Sequence, residues 1–379
     1  QRLMVFLHPV FTILILILIF YSWVDFGRDQ DVKTPKFIFW GIAIYMIIII
    51  GYRNYVGADY PVYKGMYNQY FPVIDYSLLI DKMFFRHSSV DIEWMYAMLN
   101  KWIFSTGAFF QQFTLVCAII TVGGKLSVFY KDSKYPVFSI LLFMIPGYFI
   151  GDSGHMRQAL GMTMCLLSFR FIKERKVWWY LLCLYIAYGF HKSTIVFLPA
   201  YWLAVIPMNS NRILYAVLVS IILSPFQVYN VFSAFLETLN VQDVSNGYNG
   251  YINFESSGSS FMDATVILNS ILLIVYDKQA SKTIWYYEYM RNILLTGLCL
   301  YFIMRSNPIF STRLVGAYLG FASLVIPNLI FAVENKGRQK IIQYYFIAFT
   351  IFYYFVFAKY QGNAGRFTPD KYQNFLWSN

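Results

Sequence analysis

Charged residues are scarce in this chain. Asp, Glu, Lys and Arg make up 13% of its 379 residues, whereas hydrophobic residues make up 58%. A soluble globular domain carries roughly 25% charged residues. The charges are also missing from about a dozen long apolar stretches and fall between them or at their ends. Lipid is therefore the expected solvent for most of the surface, and the sequence predicts a polytopic membrane protein.

Other absences exclude classes of site. The chain has 4 cysteines, all inside apolar stretches and without disulfide or metal spacing. It contains no HExxH motif, acidic pair, P-loop or dinucleotide fingerprint, so we predict neither a metal nor a cofactor. The net charge of +11 does not indicate nucleic acid, because no basic stretch is interleaved with aromatic residues and cytoplasmic loops are biased toward Lys and Arg anyway.

The apolar stretches predict about twelve transmembrane helices in a single polytopic domain, residues 1–379. The expected spans are 3–24, 36–51, 110–130, 135–151, 156–173, 177–190, 193–207, 212–229, 261–276, 287–304, 311–333 and 338–358. The runs lack the ten-residue alternation of barrel strands, which leaves helices. The stretch 3–24 has no basic leader or cleavage site and is expected to be retained.

Two long segments fall on the predicted outer side. Residues 52–109 form the first, in which 91–106 is expected to be an amphipathic helix lying at the membrane interface. Residues 230–260 form the second, a polar loop. With this topology Lys125 lies inside and Asp152 outside, and basic residues clearly outnumber acidic ones only on the inner side.

Several polar residues gather at the outer ends of the spans. Arg53 ends the second span, and Asp59 follows it after Gly57, which permits a tight turn. Arg157 begins the fifth span, where a helix N-terminus favours an anion and a guanidinium matches phosphate oxygens. For Arg53 the alternative is an interface anchor beside an ordinary turn, and for Arg157 it is an arginine that snorkels to the interface or pairs with Asp152.

Further candidates lie on the same predicted face. His191 follows the short span 177–190, so we expect it to be recessed in a polar crevice, with a packed histidine as the alternative. Arg305 and Arg313 flank another outer turn and are expected to complete a ring of cations with Arg53 and Arg157. Glu93 starts the segment 91–106, where the helix dipole alone favours a negative charge.

The outer loop 230–260 is rich in Asn, Ser, Gly and Tyr. Amides and hydroxyls pair with sugar hydroxyls, and aromatic rings pack on sugar faces, so a carbohydrate site is one interpretation and a solvated polar loop is the other. The expected sugar-binding residues are Tyr60, Tyr63, Gln158, Tyr248 and Tyr251.

These residues, in this order, resemble the EpsG family of Wzy-type polysaccharide polymerases, which make O-antigen, capsule or exopolysaccharide. The matching pieces are Arg53 with Gly57–Tyr63, Glu93 with Tyr96, Arg157–Ala159, Phe190–Ser193 and Arg313. The resemblance covers the chain from about residue 36 to the end. It implies a multi-spanning fold similar to that of the GT-C glycosyltransferases.

The resemblance also implies a reaction: block polymerisation of oligosaccharides carried on undecaprenyl pyrophosphate, at the outer face of the bacterial cytoplasmic membrane. Arg157 and Arg313, assisted by Arg53 or Arg305, would bind the pyrophosphate. Asp59 or Glu93 would be the base, and His191 would share that task or hold a phosphate.

Two other functions stay open, a flippase or other transporter for the same lipid-linked substrate and an O-antigen ligase. A transporter should carry polar groups near the membrane midplane, whereas the spans here are apolar in the middle. The expected partners are the lipid-linked oligosaccharides and membrane lipid, with a chain-length regulator as a further candidate.

Overall fold

The computed structural model describes residues 6–28, 32–57, 59–228, 260–307, 310–364 and 366–377. The described chain is predominantly helical and forms two compact units. Unit 1 comprises the chain up to Leu167, Tyr185–His191 and the chain from Asn335 onward. Unit 2 comprises Ser168–Leu184 and Lys192–Glu334. No boundary between units was expected from the sequence, which shows no shift in composition.

Unit 1 contains both outer-segment helices and long apolar helices. Its elements are α1 (Pro9–Phe26), α2 (Lys36–Gly51), β1 (Arg53–Asn54), α3 (Tyr60–Gly65), a π-helical turn (Met66–Tyr70), a 3₁₀ turn (Phe71–Val73), α4 (Tyr76–Met83), α5 (Trp94–Ser105), α6 (Phe110–Ala118), a second π turn (Ile119–Gly123), α7 (Gly124–Asp132), α8 (Pro136–Phe143), a third π segment (Met144–Asp152) and α9 (Met156–Leu167).

Unit 2 contains both short helices and two long ones. Its elements are α10 (Phe169–Lys173), the first part of α11 (Val177–Phe190), a 3₁₀ segment (Lys192–Phe197), α12 (Ala200–Leu203), α13 (Ser210–Leu223), a 3₁₀ turn (Ser224–Phe226), α14 (Ser260–Thr283), α15 (Tyr287–Ile303), a π segment (Phe310–Leu314), α16 (Gly316–Leu319) and α17 (Ala322–Phe331). The last part of α11 belongs to unit 1, as do α18 (Lys336–Ala364) and β2 (Gln373–Asn374).

Small residues let the apolar helices of unit 1 approach closely. A Cβ at Gly51, the last residue of α2, would come within 3.1 Å of the Cα of Leu115 in α6. The hydroxyl of Thr114 donates to the carbonyl of Gly51 over 2.6 Å. A glycine and a threonine that bonds across to the neighbouring helix are typical of helix contacts inside membranes. This contact lies where α2 ends and the outer segment begins.

The chain after α18 returns to that point. β2 pairs antiparallel with β1, and Arg53 lies opposite Asn374. The hydroxyl of Tyr372 and the side-chain amide of Asn374 both donate to the carbonyl of Ile49, near the C-terminal end of α2. The carbonyls in the last turn of a helix lack donors from the helix itself. The C-terminal segment supplies such donors and thereby caps α2.

Three helices among the described residues are long and apolar enough to cross a membrane by length and composition: Pro9–Phe26, Phe110–Asp132 and Lys336–Tyr360. Five shorter apolar helices are Lys36–Gly51, Pro136–Asp152, Val177–Phe190, Ser210–Phe226 and Gly316–Phe331. The described chain is thus predominantly α-helical, with several apolar helices and one short strand pair, as expected for an all-α membrane protein. The number of spans and the GT-C architecture stay predictions.

One expected span differs from the structure for a clear reason. Residues 193–207 do not form a continuous helix. A 3₁₀ segment ends at Phe197, and the four-residue α12 begins after Pro199. Proline lacks the amide hydrogen that a helix interior needs, and the apolar composition alone gave no sign of this interruption.

Candidate functional site

An aromatic core supports the outer segment of unit 1. Tyr60, Tyr63 and Tyr67 of α3 and the turn after it are buried against Tyr96 of α5 and Phe110 of α6. The ring centroids of Tyr63 and Tyr96 lie 5.9 Å apart, and those of Tyr60 and Phe110 lie 5.2 Å apart. These separations suit favourable aromatic pairs, so the residues above this core are held on a rigid base.

The turn that leads to Asp59 is fixed by Gly57 and Arg53. Gly57 has a φ of +108°, and a Cβ there would lie 2.6 Å from the carbonyl oxygen of Ser153. The guanidinium of Arg53 is buried; it donates to the carbonyls of Ile50 and Val56. The predicted turn is therefore confirmed, and it packs directly against the loop that precedes α9.

That packing brings Asp59 and His155 together. Oδ2 of Asp59 lies 3.1 Å from Nδ1 of His155, and the hydroxyl of Tyr63 donates to the same carboxylate oxygen over 3.3 Å. The side chains of His155 and Asp59 are 28% and 40% exposed. The carboxylate is thus held by two neighbours and still reaches solvent.

A second ion pair lies beside the first. Nη1 of Arg157 donates to Oε2 of Glu93 over 2.9 Å, and the Glu93 side chain is nearly covered, with 12% exposed against 30% for Arg157. A side-chain hydrogen bond also joins Arg157 to the hydroxyl of Tyr63. Glu93 occupies the N-cap position of α5, and Arg157 is the second residue of α9.

Tyr63 therefore links two ion pairs into one chain of contacts, which we call the outer cluster: Glu93, Arg157, Tyr63, Asp59 and His155. Burial raises the pKa of Tyr63 to about 12, while Arg157 opposes this rise and Asp59 adds to it. The hydroxyl consequently keeps its proton at physiological pH and can donate to Asp59 while it accepts from Arg157.

A buried ion pair lies below the outer cluster. The ammonium of Lys125 on α7 donates to the carboxylate of Asp152, and both side chains are almost fully buried. Our topology put Lys125 inside and Asp152 outside, and this was wrong because two groups in contact share one depth. Counting residues along straight helices implies that Lys125 and Asp152 lie at different depths. The long lysine side chain and the kink at Ile145 in the Met144–Asp152 segment remove this difference in depth.

The remaining predicted residues are placed as follows. Arg305 makes a bidentate pair with Asp263 in unit 2, at 2.7 and 2.6 Å. Arg313 is half-buried on the Phe310–Leu314 turn of the same unit. The ring of cations that we expected these residues to form with Arg53 and Arg157 stays a prediction.

Three of the five predicted sugar-binding residues lie in the part of the chain that the structure describes. Tyr60 and Tyr63 are buried in the aromatic core, and Gln158 is buried on α9. Tyr248 and Tyr251, with most of the loop 230–260, lie outside the described residues. Direct sugar contacts by these five residues stay predictions.

His191 lies at the end of α11, where its amide donates to the carbonyl of Ala187. Its expected catalytic role stays a prediction, whereas the histidine beside Asp59 is His155, which sequence reasoning did not select. The signal available was its position in Gly-Asp-Ser-Gly-His, two residues before Arg157 at a helix start. Lys125 was also missed, because a lysine near a span end is typical of an ordinary anchor.

Among the described residues no group of three or more His, Cys, Asp or Glu side chains is arranged to hold a metal ion. What the outer cluster offers instead is one partly exposed cation and one partly exposed carboxylate next to a histidine. Such a pairing can stabilise an anion and accept a proton.

Comparison with known proteins agrees with the resemblance seen in the sequence. The EpsG family model matches residues 36–372, which is most of the chain and includes every residue of the outer cluster. Neither the curated proteins nor the solved structures gave a significant match. The protein therefore belongs to the EpsG family, whose members are like Wzy-type polysaccharide polymerases.

Proposed function

We propose that this protein is a membrane glycosyltransferase that polymerises oligosaccharide repeat units carried on undecaprenyl pyrophosphate. The reaction takes place at the outer face of the bacterial cytoplasmic membrane. Family membership supports a function of the polysaccharide polymerase type. The observation that carries the finer proposal is the outer cluster, in which Arg157 and Asp59, 30% and 40% exposed, lie beside one aromatic core.

The reaction has defined chemical needs. A hydroxyl at the end of the acceptor attacks the anomeric carbon of the donor glycan, and the bond from that carbon to the pyrophosphate oxygen breaks. The hydroxyl loses a proton, and the leaving pyrophosphate gains negative charge. A base within hydrogen-bond reach and a preorganised cation meet these two needs.

Arg157 supplies the cation. Glu93 and Tyr63 hold its guanidinium on one side, so little freedom is lost when it binds a phosphate. Its Nε has no hydrogen-bond partner among the described residues. Arg157 also stands in the first turn of the twelve-residue helix α9, whose N-terminal end favours an anion. Arg53, Arg305 and Arg313 remain candidates for assisting it.

Asp59 is the better supported of the two candidate bases. Glu93 is already paired with Arg157 at 2.9 Å and is largely covered, whereas Asp59 is 40% exposed. His155 fixes the orientation of the Asp59 carboxylate and can share the proton that it accepts. The base and the cation are joined through Tyr63, so both substrates would meet above one tyrosine.

Purified protein in liposomes tests this proposal. It is given lipid-linked repeat units extracted from cells, and the products are separated by length, with and without a chelator. We expect a ladder in both conditions, and a rate lower by about 10²-fold or more for Asp59→Asn. Asp81→Asn is the matched control, because the Asp81 side chain is similarly exposed, at 36%, and also has a basic neighbour, Arg86, at 3.6 Å.

Two results would contradict the proposal. One is movement of the lipid-linked unit across the membrane without any longer product, which would indicate a flippase. The other is equal activity of the Asp59→Asn and Asp81→Asn variants, which would remove Asp59 from the chemistry. A ladder that disappears with chelator and returns with Mg²⁺ or Mn²⁺ would overturn the metal-independent mechanism alone.

A further inference from the structure

Helix α4 is apolar on two faces. Its inner face packs into the aromatic core through Leu79, which is fully buried. On the neighbouring face Tyr76 and Ile80, with Phe84 just after the helix, follow one another at intervals of four residues, and all three are exposed. Side chains spaced in this way form one stripe along a helix. A helix with apolar stripes on two faces is expected to be covered on both.

The stripe continues at both ends of the helix. Val73 before α4 is 76% exposed, and Phe85 after it is 74% exposed. Phe85 also has a φ of +56°, a strained conformation for a residue other than glycine. We call Val73, Tyr76, Ile80, Phe84 and Phe85 the apolar edge of the outer segment. Single exposed apolar residues need no explanation, but a continuous edge does.

Contacts of Phe85 indicate what covers this edge. Its ring lies 6.2 Å from Tyr185 and 6.3 Å from Tyr188, both in the last part of α11. The hydroxyl of Tyr185 donates to the carbonyl of Met83, at the end of α4. Tyr185 is five residues before the end of α11 at Phe190, which corresponds to about 8 Å along the helix axis.

The apolar helix α11 follows a basic stretch at 173–176 and is expected to end at the outer face. Phe85 therefore lies beside its outermost turns, below the level at which that helix ends. Interfacial helices bury their apolar faces about 5–10 Å into the boundary between headgroups and acyl chains. Because α11 is short and its end is expected to be recessed, Phe85 lies at least about 8 Å below the outer surface, at the depth of the outer leaflet.

Cations beside the apolar edge fit the same location. The ammonium of Lys101 lies 4.8 Å from the ring of Tyr76, and the guanidinium of Arg86 lies 5.9 Å from the ring of Phe84. Aromatic rings with long basic side chains next to them are typical of the membrane interface, where the charge reaches the headgroups.

We propose that α4 and the turn after it are inserted into the outer leaflet of the membrane, with the apolar edge in contact with lipid. This differs from the expected interfacial helix at 91–106. In the structure α5 buries Tyr96, Ala97, Asn100 and Ile103 and exposes Trp102, so the interfacial location of 91–106 stays a prediction beside this proposal. The insertion holds the outer segment at a fixed height above the membrane.

A cysteine scan from residue 73 to residue 89 tests this proposal without reference to catalysis. Each variant is labelled with an environment-sensitive fluorophore in liposomes, and quenching by spin-labelled lipid is compared with quenching by aqueous iodide. Wild-type protein carried through the same labelling corrects for its own four cysteines. We expect lipid quenching at positions 73, 76, 80, 84 and 85, and iodide quenching at His87 and Ser89, which are exposed polar controls.

Either of two other patterns would overturn the proposal. Iodide quenching of the whole apolar edge would mean that water covers it. Resistance to both quenchers at Ile80 and Phe84 would mean that protein covers it, as in a second copy of the chain or a partner. Neither result bears on whether the protein polymerises glycans, so the two proposals can fail separately.

Discussion

The substitution Gly57→Ala tests whether the turn at Gly57 aligns Asp59 with His155. At a φ of +108°, a Cβ would lie 2.6 Å from the carbonyl oxygen of Ser153 and 3.3 Å from the Cα of Gly154. Ordinary van der Waals contact begins at 3.4 Å. Both neighbours are backbone atoms, so the two segments must separate by roughly 0.8 Å to admit the methyl group.

Such a separation acts on the outer cluster directly, because Asp59 and His155 each lie two residues from the clash. A contact of 3.1 Å between Asp59 and His155 that opens by the same amount no longer forms a hydrogen bond. Misplacement of a catalytic group by about 1 Å costs on the order of 10²-fold in rate. The positive φ adds a loss in stability of about 1–2 kcal/mol.

Two glycines of the same segment separate these effects. Gly107 has a φ of +79°, and a Cβ there would have no atom within 4 Å, so Gly107→Ala carries the conformational cost alone. Gly65 has neither a positive φ nor a close neighbour, so Gly65→Ala carries no such cost. Polymerisation rate in liposomes and thermal unfolding in detergent are measured for all three variants.

We expect Gly57→Ala to lose activity beyond its loss of stability, Gly107→Ala to lose stability with its activity retained, and Gly65→Ala to behave like wild type. Full activity of Gly57→Ala would refute the reasoning. Equal loss of activity in Gly57→Ala and Gly107→Ala would also refute it, since the contact with Ser153 would then have no special role.

Two further predictions concern residues that sequence reasoning missed. Lys125→Met leaves the carboxylate of Asp152 buried without its cation and should destabilise the protein by about 3–5 kcal/mol, measured as a lower thermal unfolding temperature, whereas the double variant with Asp152→Asn should recover part of that loss. An unchanged unfolding temperature of Lys125→Met would show that this ion pair contributes little. His155→Ala should lower the polymerisation rate by about 10-fold or more, because Asp59 loses its partner, while the exposed His87→Ala serves as the control. Equal rates for both histidine variants would exclude His155 from the site.

The sequence was a good guide to features that depend on local pattern. The amphipathic pattern at 91–106 predicted a helix, and α5 occupies Trp94–Ser105. The gathering of polar residues around Asp59, Glu93 and Arg157 was also predicted, and the structure joins these three through Tyr63. Hydropathy and helix-end signals depend only on residues that are close together in the chain, so they can be read without knowing the tertiary structure.

Features that depend on distant contacts were not predictable in the same way. His155 meets Asp59 across 96 positions in the chain, and Lys125 meets Asp152 across 27, with a kink at Ile145 between them. The burial of Arg53 was likewise hidden, because an arginine after an apolar stretch is more often exposed at the interface. The composition of α4 did not show that it is apolar on two faces. Only the structure shows which face packs into the core through Leu79 and which face stays exposed.

The central claim is that Arg157 stabilises the leaving pyrophosphate of a polymerase. The most direct test is the glycan ladder of cells that carry Arg157→Ala, with the amount of protein in the membrane measured in parallel. Arg86→Ala is the control, because Arg86 is an exposed arginine of the same outer segment. We predict protein at normal levels with single repeat units only, in keeping with a loss of about 10²–10³-fold in rate, and a full ladder for the control. A full ladder with Arg157→Ala would contradict the claim and reduce Arg157 to an anchor at the membrane interface.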